Sequence, residues 1–113
     1  MIFDTDVQCA FHNFGEVART VVMVTGAAAL KSIHVLADAG QNPLVVLYDT
    51  STTGGIGAST EVTTFFAGIQ SANVSNGMWF RIPGNGLRFN DGIVIDVTTT
   101  NLQSVALLYQ GGA

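Results

Sequence analysis

Apolar residues in this chain come in short runs separated by clusters of Gly, Asn, Asp and Pro. Residues 17–24 (VARTVVMV) are rich in β-branched side chains. Residues 30–37 (LKSIHVLA) place Ile33, Val35 and Ala37 on one face of an extended segment. Residues 38–43 (DAGQNP) are a turn cluster with Gly40 and Pro43 as breakers. Residues 44–48 (LVVLY) are apolar on both faces, as suits a strand inside a sheet. A polar Gly-rich loop, residues 49–59 (DTSTTGGIGAS), leads to the β-branched and aromatic residues 60–69 (TEVTTFFAGI). There the adjacent Phe65 and Phe66 leave the register open. Residues 70–77 are a polar connection. Residues 78–82 (MWFRI) form a short strand stopped by Pro83 and Gly84, and residues 87–89 (LRF) form a fragment. Asn90, Asp91 and Gly92 turn the chain into two last strands, residues 93–99 and 102–109.

No stretch keeps apolar positions at i, i+3, i+4 and i+7 over three turns. Only residues 25–33 have room for a short helix, through Ala27, Ala28 and Ala29. About eight short strands at regular spacing predict an all-β fold, a single antiparallel β-sandwich of jelly-roll or immunoglobulin-like order. Residues 17–113 form the sandwich domain. Residues 1–16 (MIFDTDVQCAFHNFGE) read as an irregular N-terminal arm or first irregular strand, because Phe3, Phe11 and Phe14 follow no clear period. No internal repeat and no linker divides the chain.

Composition changes this picture in one respect. Charged residues are 11% of the 113 residues, against roughly 25% in an average soluble domain. Hydrophobic residues are 48% and mean hydropathy is +0.42. So neutral a surface has little colloidal repulsion, which favours a protein covered in part by other protein. The alternative is a neutral, Thr-rich β-domain that is simply soluble. Net charge is −4, and the four cations, Arg19, Lys31, Arg81 and Arg88, are scattered. Phosphate neutralisation needs clustered Lys and Arg, so no nucleic-acid partner is expected. No membrane is expected either: the apolar run of residues 20–30 is short of the ~20 residues of a span and contains Gly26. The single cysteine, Cys9, excludes an internal disulfide framework. The acidic start, MIFDTD, is unlike the basic start of a signal peptide, so synthesis in the cytoplasm is expected.

Candidate chemistry fares poorly. Gly55-Ile56-Gly57 follows a strand, but a dinucleotide fingerprint would next need Gly or Ala where Thr60 stands, and then a helix. Cys9 and His12 are spaced C-x-x-H, yet a structural zinc needs about four ligands; the only other histidine is His34, and nothing requires the carboxylates of Asp4 and Asp6 to contribute. Ser32, His34 and Asp38 lack a nucleophile elbow. Asn73-Val74-Ser75 matches a glycosylation sequon, which matters only in an exported protein. Phe65, Phe66, Trp79 and Phe80 suit either a sugar platform or the core of a small sandwich, the core being the commoner use. Asp91 and Asp96 form no pair: one is in a turn, and the other is on a strand face about 15 Å further along an extended chain. No catalytic, cofactor-binding or metal-binding residue is expected, and so no enzyme.

The order Arg81-Ile82-Pro83-Gly84-Asn85-Gly86-Leu87-Arg88-Phe89-Asn90-Asp91-Gly92-Ile93-Val94-Ile95-Asp96-Val97, then Leu102-Gln103-Ser104-Val105-Ala106-Leu107-Leu108-Tyr109, resembles small β-sandwich virion proteins of tailed bacteriophages. They share "I-P-x-x-G-I-R-F-x-x-G-I-x-V" followed by a terminal "V-x-V-x-Y" strand. Leu87 and Ile95 are conservative departures from it. The likeness spans roughly residues 30–110 and includes Leu30 to Val35 and Leu44 to Ser51. It implies a virion component on the capsid surface: a decoration (cement) protein, or a head, neck or tail part. The expected partners are further copies of itself, for instance as a trimer on a local symmetry axis, and the major capsid protein. Phe3, Phe11 and Phe14 are the candidate interface. The alternative for them is an arm folded back on its own sandwich. From the aromatic set and the Thr-, Asn- and Gln-rich loops, a carbohydrate-binding module is the competing reading.

Overall fold

The computed structural model describes residues 7–66 and 76–112. Among these it has nine strands: β1 (Val7–Asn13), β2 (Arg19–Thr25), β3 (Ala28–Ala37), β4 (Leu44–Asp49), β5 (Glu61–Phe66), β6 (Asn76–Arg81), β7 (Leu87–Phe89), β8 (Gly92–Val97) and β9 (Leu102–Gly111). They form two sheets. One has the order β1-β9-β3-β6, with β7 also on β3; the other has β2-β8-β4-β5. We call them sheets A and B.

All pairings are antiparallel, and they nest. β4 pairs with β5, β3 with β6 and β7, β2 with β8, and β1 with β9. The first half of the chain thus meets the second half strand by strand, as a long folded ribbon. Two further ladders, β3 with β9 and β4 with β8, roll that ribbon into two layers. This is the jelly-roll order. An immunoglobulin-like sandwich would instead pair early consecutive strands within one sheet.

The facing sides of the sheets enclose one core. Sheet A contributes Leu30, Ile33, Val35, Leu102, Val105 and Leu107, and sheet B contributes Val45, Leu47, Ile93, Ile95 and Val97. A register shift between Leu30 and Ser32 adjusts β3. Without that extra residue, Leu30 and Ile33 would point to opposite faces, since side chains alternate along a strand. The bulge turns both inward and leaves Lys31 on the outside. As expected for a run apolar on both sides, β4 lies between β8 and β5.

Two expectations are corrected. Residues 25–33 hold no helix: Gly26 turns with φ of 82° and β3 begins at Ala28. Helix propensity is a weak prior, and sheet pairing plus burial of Ala28 and Leu30 overrides it. The stretch around Phe11 is also regular, since β1 pairs residue for residue with β9 from Val7 to Asn13. The sandwich therefore starts earlier than residue 17.

The turn at residues 90–92 locks the layers together. The Asp49 carboxylate accepts the amides of Asn90 at 3.0 Å and Asp91 at 2.8 Å, and Asp91 O accepts the Gly26 amide at 3.0 Å. A Cβ on Gly92 would meet Val24 O at 2.6 Å and Thr50 O at 2.7 Å. In contrast, Gly54 and Gly57 have no atom within 4 Å of a would-be Cβ. Gly92→Ala is expected to lose at least about 2 kcal/mol of stability, because backbone on both sides must move. Asp49→Ala is expected to lose about 1–2 kcal/mol, because the Asn90 and Asp91 amides lose their acceptor. Gly54→Ala should change stability by less than about 0.5 kcal/mol. Urea unfolding of the three variants checks the order; equal losses at Gly92 and Gly54 would contradict the tight turn.

Candidate interaction surface

None of the sequence-suggested chemical groupings converges. Cys9 and His12 have opposite parity on β1, so they lie on opposite faces of sheet A. His34 packs against Trp79 with the rings tilted at 46° and their centroids 4.9 Å apart, while Asp38 accepts from Gln103 Nε2 at 2.7 Å beyond the end of β3. Four extended residues, about 13 Å, separate those two groups. The Gly-rich loop is a 3-10 turn at Thr53–Gly55, closed by Thr60, whose hydroxyl donates to Gly55 O at 2.8 Å. Asp91 is exposed in its turn, and Asp96 lies on the outer face of sheet B, where it accepts the Thr20 hydroxyl at 2.7 Å. Asn73 and Ser75 of the sequon lie outside the described residues, as does Phe3.

The aromatic set divides in two. Phe65 and Phe80 pack together at 5.1 Å against the core. Trp79, the next residue on β6, points out and is 56% exposed. Nothing is described of the Phe66 side chain. The candidate interface residues divide as well. Phe14 is 1% exposed and belongs to the core, whereas Phe11 is 64% exposed.

The pairing registers put Phe11 and Trp79 in one row. Across sheet A, Phe11 of β1 faces Ala106 of β9, which faces His34 of β3, which faces Trp79 of β6. Three strand spacings separate the ends, roughly 14 Å. The next row runs Cys9, Leu108, Ser32 and Arg81, and the one on the other side contains Ser104 and Leu36. The outer face of sheet A is thus an apolar strip ending in an exposed aromatic ring on each side. Lys31, Ser32, Trp79, Arg81 and Leu108 line a shallow groove of about 420 Å³ on it. Sequence reading missed Leu36, Ala106 and Leu108. The available signal was the adjacent pair Leu107-Leu108, which in a strand must present one leucine outward.

β1 explains the irregular look of its sequence. Its apolar residues Val7, Cys9 and Phe11 face outward, while Gln8 and His12 face inward, the reverse of a solvated sandwich strand. Gln8 is satisfied there by Gly111 O at 3.2 Å and by the Tyr109 hydroxyl at 3.2 Å. His12 packs edge-on to Phe14, with ring centroids 4.7 Å apart. Burial, then the nearby Arg19, holds its imidazole below the ordinary histidine pKa.

The outer face of sheet B is mixed, with Val22, Val94 and Tyr48 in one row across it. Thr20, Asp96, Val46 and Thr64 form another row. Burial, then the Glu61 and Asp96 carboxylates, pushes the Tyr48 hydroxyl upward. At one end of the sandwich two carboxylates do meet, Glu16 and Asp38. A hydrogen bond from Glu16 lowers Asp38, with Gln103 adding to it, and the same contact raises Glu16. Both groups are open to solvent. Among the described residues no group of three or more His, Cys, Asp or Glu side chains is placed to hold a metal ion.

No protein-family model matches the sequence, and comparison with curated proteins found no match. Among solved structures, the fold is similar to the Tobacco streak virus coat protein, with a TM-score of 0.45 at 9% identity. That alignment covers 100% of this chain and 92% of the coat protein. No helix among the described residues is long and apolar enough to cross a membrane.

The carboxylate pair yields a signed expectation. Raised Glu16 favours the fold while it is protonated, and that contribution is lost as pH rises through its folded pKa. Lowered Asp38 favours the fold above its unfolded pKa, and that contribution is lost as pH falls through its folded pKa. Glu16→Gln keeps a donor for Asp38 and removes the repulsion. It should raise the melting temperature near pH 7, and the gain should vanish at about pH 3, where Glu16 is protonated. Thermal melts at both pH values check this, and an equal shift at both would contradict the pairing.

Proposed function

We propose that this protein is a non-enzymatic structural component of a tailed-bacteriophage virion, a capsid decoration (cement) protein that self-associates and bridges neighbouring capsomers. One observation carries the reading: the outer face of sheet A presents Phe11, Ala106, His34 and Trp79 as a continuous strip in a chain with 11% charged residues. A surface of this kind gains from being covered, at roughly 25 cal/mol per Å² of apolar area. The jelly-roll order and the sequence likeness to small phage virion proteins support the same reading. Each contact is modest, and many copies on one shell add their contacts through multivalency. Trp79 is the expected anchor, as a large amphipathic ring with cationic neighbours, Arg81 and Lys31, at its groove.

Purified virions should carry this chain in many copies spread over the head; a few copies at one vertex would make it a neck or tail component. In a capsid-binding assay, Trp79→Ala should weaken attachment by about 2 kcal/mol, roughly thirtyfold, with the fold intact by circular dichroism. Unchanged attachment would remove sheet A from the capsid interface. A second reading, a carbohydrate-binding module, is favoured by the exposure of Trp79 beside a polar-rimmed groove. A glycan array with a binder abolished by Trp79→Ala would establish it, and an array with none would end it.

A further inference from the structure

A sheet edge is a row of unpaired amides and carbonyls, and natural sandwiches protect such rows with charge, proline or bulges. Among the described residues, three of the four edges are protected. The β6–β7 edge carries Arg81 and Arg88 and is interrupted at Pro83. The β2 edge begins at Arg19 and shifts register between Val22 and Val24. The β5 edge begins at Glu61, where its ladder with β4 shifts between Leu47 and Tyr48. Only β1, VQCAFHN, has no charge, no proline and no glycine, and its seven residues pair with β9 without a shift.

The ladder shows which groups are free. The Phe14 amide donates to Gln103 O at 2.8 Å, in register with the β1–β9 pairs. By alternation, His12, Ala10 and Gln8 direct their backbone groups to β9. Val7, Cys9, Phe11 and Asn13 therefore direct theirs outward, and no backbone bond satisfies them among the described residues. The same residues hold the outward apolar side chains, with Val7 43% and Phe11 64% exposed.

We propose that β1 pairs antiparallel with β1 of a second copy across a twofold axis, so that sheet A runs continuously through a homodimer. An isologous contact brings the same strand to itself in antiparallel sense, and a strand without charge meets no repulsion in doing so. Pairing every residue from Val7 to Asn13 puts the axis at Ala10. Cys9 then hydrogen-bonds with Phe11 of the second copy, and Val7 with Asn13. The two Ala10 residues meet in the close, non-hydrogen-bonded position, where a small side chain fits. His12 faces Gln8 of the second copy in the same kind of position. Its Nε2 is buried without a partner among the described residues, and the Gln8 amide nitrogen has a second hydrogen to offer. The outer aromatic rows of the two copies join into one surface. The pairing rests on the self-association in the proposed function and not on the virion or on the capsid anchor Trp79.

Sedimentation velocity of the full chain over a concentration series tests it. The wild-type protein should be a dimer. Cys9→Pro removes an outward amide and no bond to β9, and Cys9→Lys sets charge at the axis; each should raise the dimer dissociation constant by about tenfold or more. Circular dichroism identifies a variant that fails to fold, and the other then decides. In a Cys9→Ser background, Ala10→Cys should crosslink two copies under mild oxidation, and His12→Cys should not. A monomer at all concentrations, or a dimer unaffected by the folded Cys9 variant, would overturn the pairing; crosslinking at residue 12 in place of residue 10 would overturn the register. A dimer that fails to bind capsids removes the cement reading and leaves this one standing, whereas a capsid-binding monomer does the reverse.

Discussion

The ladder between β3 and β9 holds this fold together. Among the described residues these are the two longest strands, at 10 residues each, and they lie side by side in the middle of sheet A. Their inward residues, Leu30, Ile33, Val35, Leu102, Val105 and Leu107, are fully buried and form one wall of the core. Among the described residues β1 has no sheet neighbour but β9, and β6 and β7 have none but β3. β1 therefore cannot join sheet A until residues 102–111 return to residues 28–37. The bulge beside Lys31 belongs to the same constraint, because it lets the ladder keep its inward face after the strand changes phase.

That dependence runs along the whole chain. In the nested ribbon only β4 and β5 are near in sequence, and each further tier closes a longer loop before its hydrogen bonds form. Folding by such non-local pairing is slow, roughly milliseconds to seconds for small all-β domains. The amide contacts of Asp49 with Asn90 and Asp91 act on this difficulty directly. They tie the end of β4 to the turn entering β8, and so bring the second-half strands of sheet B into register. The tight approach at Gly92 is the geometric condition of that clamp.

The two outer faces differ in where their exposed aromatic rings lie, with Phe11 and Trp79 both on sheet A. Sheet B turns Thr20, Asp96 and Thr64 outward together with Val22, Val46 and Val94, and the Thr20–Asp96 bond is internal to that face. Sheet A turns Phe11, Leu108, Leu36 and Trp79 outward. Burying core residues fixes nothing about the opposite face of a sheet. An apolar outer face with an unprotected edge strand at its margin is a surface suited to contact with other protein.

Much of this was legible from residue order alone. Short β-branched runs broken by Gly, Asn, Asp and Pro determined an all-β sandwich, because local alternation and turn chemistry act within a few residues. The turn at Asn90-Asp91-Gly92, the central position of β4 and the separation of Asp91 from Asp96 follow from the same local rules. Strand order did not, since every nested pairing is long-range and each strand reads alike whether its partner is near or far. β1 was obscured because its polarity is inverted: Gln8 and His12 face inward only because Tyr109, Gly111 and Phe14 are there to receive them. The placement of Phe11 and Phe14 was likewise beyond local pattern. Phe11 and Phe14 are three residues apart, and only the neighbours supplied by β9 and the core put one on the surface and the other inside. The sequence determined which segments are strands; the tertiary structure decided which side of each strand meets the world, because burial depends on what the fold brings alongside.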